Sequence, residues 1–373
     1  MINADVRSRA MKRQSLLSIL VFPLLIAAAA AASAAEAIGA EPYRIGVNYG
    51  FSGAAKAWAD YGKKGIELAT DEINKAGGIN GRPLKIIYED NKTEAKESIA
   101  AYKKLTVNNG VDAIIASNWA IITNPLIPLS AKDKMIVISP TVMDASAEGR
   151  SAYFFTLGHQ IESVRKPLQQ FFNSHPSIRT AAFLCWDDAW GRANLRIWQE
   201  EAKARSVAVL ATLCQRNYAS DFRSEVSKVS ALKPDVIFVG MYPERVALRM
   251  REQGVKVPIF TTSVVLEAIK DPALPADLFD RTFFAYWPSS YLFRKKFMAR
   301  YGQEPLLEAE NHYEAVRSLA KAFSGKANTL LENLKNVSYA GVTGWIDFGH
   351  SFIADRSGGS LMRIQNRTID TVK

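Results

Sequence analysis

LATDEINKAGGINGRPLKIIYED, residues 68–90, is the stretch from which the fold of this 373-residue chain is read. A helix with a polar face ends at Ala76. Gly77-Gly78 provides the left-handed backbone that closes it, because glycine lacks a Cβ and reaches positive φ without strain. Asn80-Gly81 then reverses the chain into an apolar strand, Leu84–Tyr88, which ends at the acidic pair Glu89-Asp90. A helix, a glycine stop and a buried strand in immediate succession predict an α/β architecture.

The alternation continues on both sides of this segment. Strands are expected at Tyr43–Tyr49, Leu84–Tyr88, Val111–Ala116 and Met135–Ser139, with helices at Ala57–Ala76, Glu94–Asn108 and Pro125–Lys132 between them. Ala113-Ile114-Ile115-Ala116 is apolar throughout, which suits a parallel strand covered on both faces. A second set follows. It has strands at Thr180–Trp186, Val207–Leu213, Val236–Val239 and Pro258–Thr261, and helices at Glu162–Phe172, Arg192–Ala204, Asp221–Leu232 and Glu244–Gln253. Two such sets predict two doubly wound, Rossmann-like lobes. The tail adds helices at Leu292–Tyr301 and Glu308–Phe323 and a β-rich stretch over Gly344–Ile364.

The N-terminus reads as a separate object. Arg7, Arg9, Lys12 and Arg13 precede the apolar run Leu16–Ala32, and small residues follow through Ala37. That is the pattern of a cleaved secretory signal over residues 1–37, starting at Met1 or Met11. Its removal takes away four basic residues and the two acids Asp5 and Glu36, and leaves about +8 of the formal +10. The remaining basic residues are scattered, as at Lys63-Lys64 and Lys103-Lys104, so no nucleic-acid partner is expected. The only cysteines, Cys185 and Cys214, fall near strand ends. An oxidising compartment would allow them to pair, although two buried free thiols are the preferred expectation. No enzyme, metal site or cofactor is expected. The four histidines are dispersed, Ser318-Leu319-Ala320-Lys321 lies within a helical pattern, and no phosphate-binding glycine motif follows a strand. Asp187-Asp188 is read first as a helix cap.

The helix, double glycine and strand of residues 68–90 resemble the opening of the type I periplasmic solute-binding proteins of ABC importers, in particular the leucine/isoleucine/valine-binding branch. The resemblance extends over Pro42–Asp347 and is closest from Gly46 to Pro140. It implies two lobes joined by three crossings, near Gly158, near Tyr286-Trp287-Pro288 and near Tyr339. Lobe 1 would then comprise 42–157 plus 287–338, and lobe 2 would comprise 158–286 plus 339–373. It also implies capture of an amino acid, aromatic acid or related compound in the periplasm. The unit it implies is a monomer that delivers its ligand to an inner-membrane permease. The other functions considered are a sensor that signals to a receptor and a secreted α/β enzyme.

In such a fold the ligand sits beyond the carboxyl ends of the strands. The candidates in the first lobe are Ser52, Asn118, Trp119, Ala120, Thr141 and Met143. His159 stands at the first crossing, and Asp187, Trp190, Tyr242 and Ser263 follow strands of the second lobe. By resemblance, the serine and threonine that hold an amino-acid carboxylate fall at Ala120 and Met143, and the acid that holds the ammonium falls at Ser263. All three depart from the pattern, which argues against simple leucine binding unless Asp187, Asp188 or Glu267 replaces the missing acid. Trp58 takes the position of a family tyrosine that covers the ligand. Together with Trp119, Trp186, Trp190 and Trp287, it predicts an aromatic wall suited to flat or apolar ligands, or to a caged quaternary ammonium.

Overall fold

A computed structural model describes residues 41–140, 151–158, 161–215, 221–349 and 359–372. The expected signal, Thr141, Met143, His159 and Gln160 lie outside the described residues. The first sheet is formed as β1 (Tyr43–Tyr49), α1 (Lys56–Lys75), β2 (Leu84–Asp90), α2 (Ala95–Lys103), β3 (Ala113–Ala116), α3 (Ala120–Thr123), α4 (Leu126–Asp133), β4 (Val137–Ser139) and β5 (Phe154–Thr156). Its strand order is β2-β1-β3-β4-β5, all parallel. The turn between α1 and β2 follows its sequence: Gly77 and Gly78 are at φ 97° and 75°, and Ile79 and Arg82 bridge across Asn80-Gly81.

The second sheet is built from α5 (Arg165–Ser174), β6 (Thr180–Trp186), α6 (Ala189–Ala204), β7 (Ala208–Gln215), α7 (Arg223–Ala231), β8 (Val236–Gly240), α8 (Pro243–Glu252), β9 (Ile259–Thr261), α9 (Val265–Ala268) and β10 (Thr282–Tyr286). Its parallel part, β7-β6-β8-β9-β10, repeats the topology of the first sheet. Then come α10 (Tyr291–Tyr301), α11 (Leu307–Phe323), α12 (Leu330–Lys335), the hairpin β11 (Ser338–Gly341) and β12 (Gly344–Asp347), and the antiparallel pair β13 (Ser360–Gln365) and β14 (Thr368–Thr371). β3, β4, β8 and β9 are buried along their whole length, as strands covered by helices on both faces must be. No helix among the described residues is long and apolar enough to cross a membrane.

The chain passes from the core of the first sheet at Leu157 to that of the second at Ile161, and returns between Trp287 and Phe293. The third passage corrects the expected one near Tyr339. Tyr339, Ile346 and Phe348 all pack in the first core, so the β11–β12 hairpin belongs with the first sheet. Ser360 is where the chain rejoins the second sheet. Buried Glu314 holds the hairpin there, accepting from the Tyr339 hydroxyl and the Val342 N–H, each at 2.5 Å.

The preference for free thiols is also corrected. β6 and β7 pair in register with Cys185 opposite Cys214, Cα atoms 4.4 Å apart, and the two form a disulfide.

α11 lies against α1 at close range. A Cβ added at Gly65 would sit 2.0 Å from the Ala309 carbonyl oxygen, and one at Gly62 would sit 2.8 Å from the Tyr49 ring. Gly65→Ala therefore forces the two helices apart. We expect a loss of about 3 kcal/mol in denaturant unfolding. Reducing the disulfide, or replacing both cysteines (Cys185→Ser with Cys214→Ser), should lower stability by roughly 3 kcal/mol relative to the bridged protein, since the bridge closes a loop of 29 residues. Denaturant midpoints with and without reductant measure it.

Candidate functional site

The carboxyl ends of both sheets border one cavity of about 440 Å³. The first sheet contributes Trp58 from α1, Asn118-Trp119-Ala120 from the loop after β3, and Leu306, Leu307, Glu308 and Asn311 from the start of α11. The second contributes Trp186 and Asp188 after β6, Trp190 and Asn194 of α6, and Met241 to Glu244 after β8. Thr262, Ser263, Glu267, Asp271 and Trp287 complete that side. In each sheet these loops flank the point where strand order reverses about the first strand, where parallel α/β folds leave an open crevice.

Of the residues picked out in the sequence, Trp58, Asn118, Trp119, Ala120, Trp190, Tyr242, Ser263 and Trp287 line the cavity. Ser52 and Asp187 do not. The Ser52 hydroxyl donates to Asp90 at 2.6 Å, which ties the loop after β1 to the end of β2. Asp187 is paired with Arg192 at 2.6 Å. Asp188 reaches the cavity but also caps α6, accepting from the Gly191 N–H at 2.7 Å. The tryptophans divide in two. Trp58, Trp119 and Trp190 are half-buried and open to the cavity, whereas Trp186 and Trp287 are nearly buried and belong to the cores of the second lobe. Trp186 stands edge-on to Tyr242 at 5.3 Å, so the inner indole supports an outer ring.

Glu308 was not anticipated. It opens α11 within the run Glu308-Ala-Glu-Asn-His-Tyr-Glu314, whose polar residues occupy every face of a helix that is nevertheless buried. That mismatch of polarity and burial is the signal a sequence could have offered. Glu308 is 5% exposed. Its Oε1 accepts from Asn118 Nδ2 at 2.6 Å, and the Asn118 Oδ1 accepts from the Tyr49 hydroxyl at 2.8 Å. Its Oε2 has no hydrogen-bond partner. Burial, with the nearby Glu267 carboxyl adding to it, pushes Glu308 up to about 8. Burial also raises Glu267 and Glu244, both on the cavity wall. His312, one turn after Glu308, stacks on Tyr49 at 4.9 Å and is pushed down to about 4 by burial.

These shifts give stability a defined pH course. The folded state keeps the Glu308 proton that an unfolded chain gives up near pH ~4.3. That contribution is complete below ~4.3 and is lost as pH rises through about 8. His312 acts in the opposite sense: its contribution is present above ~6.5 and is lost as pH falls through about 4. Glu308→Gln should therefore flatten the decline in melting temperature between pH ~4.3 and about 8 and leave the loss below ~4.3 intact. Thermal unfolding across that range in both proteins is the check.

The sequence profile described as "Periplasmic binding protein" matches residues 42–365. A leucine-, isoleucine-, valine-, threonine- and alanine-binding protein of Pseudomonas aeruginosa is 22% identical over 232 residues, 61% of each chain. The match thus spans about three fifths of that relative's length. A second Pseudomonas aeruginosa protein, described as an amino acid binding protein, is 24% identical over 75% of this chain and 78% of its own. Among solved structures, the isoleucine complex of the substrate-binding protein LivJ from Streptococcus pneumoniae superposes with a TM-score of 0.80 at 22% identity. It covers 89% of this chain and 99% of its own. A solute-binding protein from Rhodopseudomonas palustris, in complex with 3,4-dihydroxybenzoic acid, reaches 0.76 at 15% identity over 87% and 93%. At these identities the structural likeness is one of fold.

Proposed function

The chain belongs to the periplasmic binding protein family, and on that premise we propose that it is the solute-capturing component of an ABC importer. It takes an amino acid or a related small organic compound into the cleft between its lobes and presents it to a permease in the inner membrane. The observation that carries this reading is the single cavity bordered by strand ends of both sheets. A cavity of about 440 Å³ falls within the range of small-molecule sites. Closure of two lobes about a hinge would then bury the solute on all sides. The names of the relatives, which include binders of amino acids and of aromatic acids, support the same class of function. The periplasmic setting accords with the signal-like N-terminus, and a single copy of the chain suffices to form the cleft.

The wall differs from an ordinary amino-acid clamp. Ala120 presents a methyl group where the family resemblance calls for a hydroxyl, and Ser263 stands where it calls for an acid. Of the three acids that could replace the missing counter-charge by resemblance, Asp187 pairs with Arg192 and Asp188 caps its helix, which favours Glu267. Trp58, Trp119 and Trp190 add indole surface to the wall. Flat rings against apolar matter contribute through buried area and stacking.

A thermal-shift screen of amino acids, aromatic acids, amides and betaines tests the proposal. A compound that binds only the folded protein adds about 2.7 kcal/mol at a hundredfold excess over its Kd. For the compound found, Trp58→Ala and Trp190→Ala should each weaken binding at least roughly tenfold, about 1.4 kcal/mol, by titration calorimetry. Unchanged affinity in both would remove the role assigned to the indoles.

A further inference from the structure

The cavity wall is one-sided in charge. Asp188, Glu244, Glu267, Asp271 and Glu308 line it, and among the described residues no lysine, arginine or histidine does. Two cations stand behind the wall. Arg245 lies 3.7 Å from Glu244, and Lys270 offsets Glu267 while donating to the Tyr61 hydroxyl at 3.0 Å. Glu308 has neither kind of relief. The titratable groups facing it are Glu267, Glu310, Tyr49, Tyr286 and His312. His312 is uncharged at neutral pH, so none of these is a cation. One oxygen of this nearly buried carboxyl, on a residue that lines the cavity, therefore has no partner. Glu267, on the opposite lobe, likewise has an unpartnered oxygen, Oε1. Trp58, Trp119 and Trp190 also line the cavity, and the face of an aromatic ring attracts positive charge through its quadrupole.

We propose that the solute is a small organic cation, an ammonium group on a flat or apolar body, seated between Glu308 and Glu267 and ringed by indoles. This rests on the solute-capture reading above and narrows it. A free carboxylate on the ligand would meet five acidic side chains and no described counter-charge, so anions and zwitterions are disfavoured. The cation also supplies what Glu308 lacks. On binding, Glu308 gives up its proton and the site exchanges a proton for the ligand's charge. Affinity then rises with pH, by nearly tenfold from pH 6 to 7, because the unliganded carboxyl titrates at about 8.

The test uses the full chain and four probes of matched body: phenethylamine, phenylalanine, 3-phenylpropionate and 3-phenylpropionamide, with choline as a quaternary cation. The expected result of calorimetry is that phenethylamine or choline binds at least tenfold tighter than the anion, the zwitterion and the amide. Glu308→Gln and Glu267→Gln should each weaken that binding tenfold or more, and Glu308→Gln should abolish its pH slope. Both variants keep the side-chain shape, and their melting curves report folding independently. Tighter binding of phenylalanine or 3-phenylpropionate overturns the cation assignment and leaves solute capture standing. Preference for the amide overturns it in favour of a protonated Glu308 acting as donor. Silence of both cations also overturns it. If the wider panel of amino acids and aromatic acids is silent as well, solute capture falls with it.

Discussion

The cleft depends on the approach of one helix to another. α11 follows the second sheet in sequence, yet it packs on α1 of the first. Gly62 and Gly65 permit that contact by presenting no side chain to Tyr49, His312 and the Ala309 carbonyl. Seated there, α11 brings its first turn to the end of β3, where Asn118 joins Tyr49 to Glu308. A small shift of the helix would break this hydrogen-bond chain and withdraw a carboxyl from the cavity. The position of the acid is therefore set by backbone packing about one helical turn away.

Burial has unequal effects on the groups around the cleft. Apolar rings gain from it, and the inner tryptophans of the second lobe are shared with its cores. Carboxyls lose hydration and are recompensed only by a hydrogen bond or an opposite charge. Glu314 is fully satisfied by Tyr339, Val342 and Arg317, and it serves to hold a hairpin. Glu308, six residues earlier on the same helix, is only half satisfied. Two buried glutamates in one helix thus separate into a structural and a cavity-facing role by their partners alone.

Much of the fold was legible from periodicity. The strands at Thr180–Trp186 and Tyr43–Tyr49 fall where the apolar runs place them, and the Asn80-Gly81 turn forms as its residues require. Phe154–Thr156 and Thr282–Tyr286 went unread, being runs of only three and five residues. The β13–β14 turn places Asn366 and Arg367 at positive φ with no glycine to announce it. At the site, the aromatic residues were accessible because position after a strand locates them. Glu308 was not, since it follows no strand and reaches the cleft only through tertiary packing. Ser52 misled because a hydroxyl ahead of a helix looks the same whether it awaits a ligand or, as here, binds a neighbouring aspartate.

The bridge between Cys185 and Cys214 has a consequence for the rim of the molecule. β7 is the outermost strand on its side of the second sheet, and Val209 and Leu210 along it are exposed. An unpaired strand margin of that kind invites other chains to add on. The covalent link staples the far end of that margin to the strand inside it. Oxidation thereby acts as a hem: it keeps the fabric from unravelling at the place where a loose thread would snag on a neighbour.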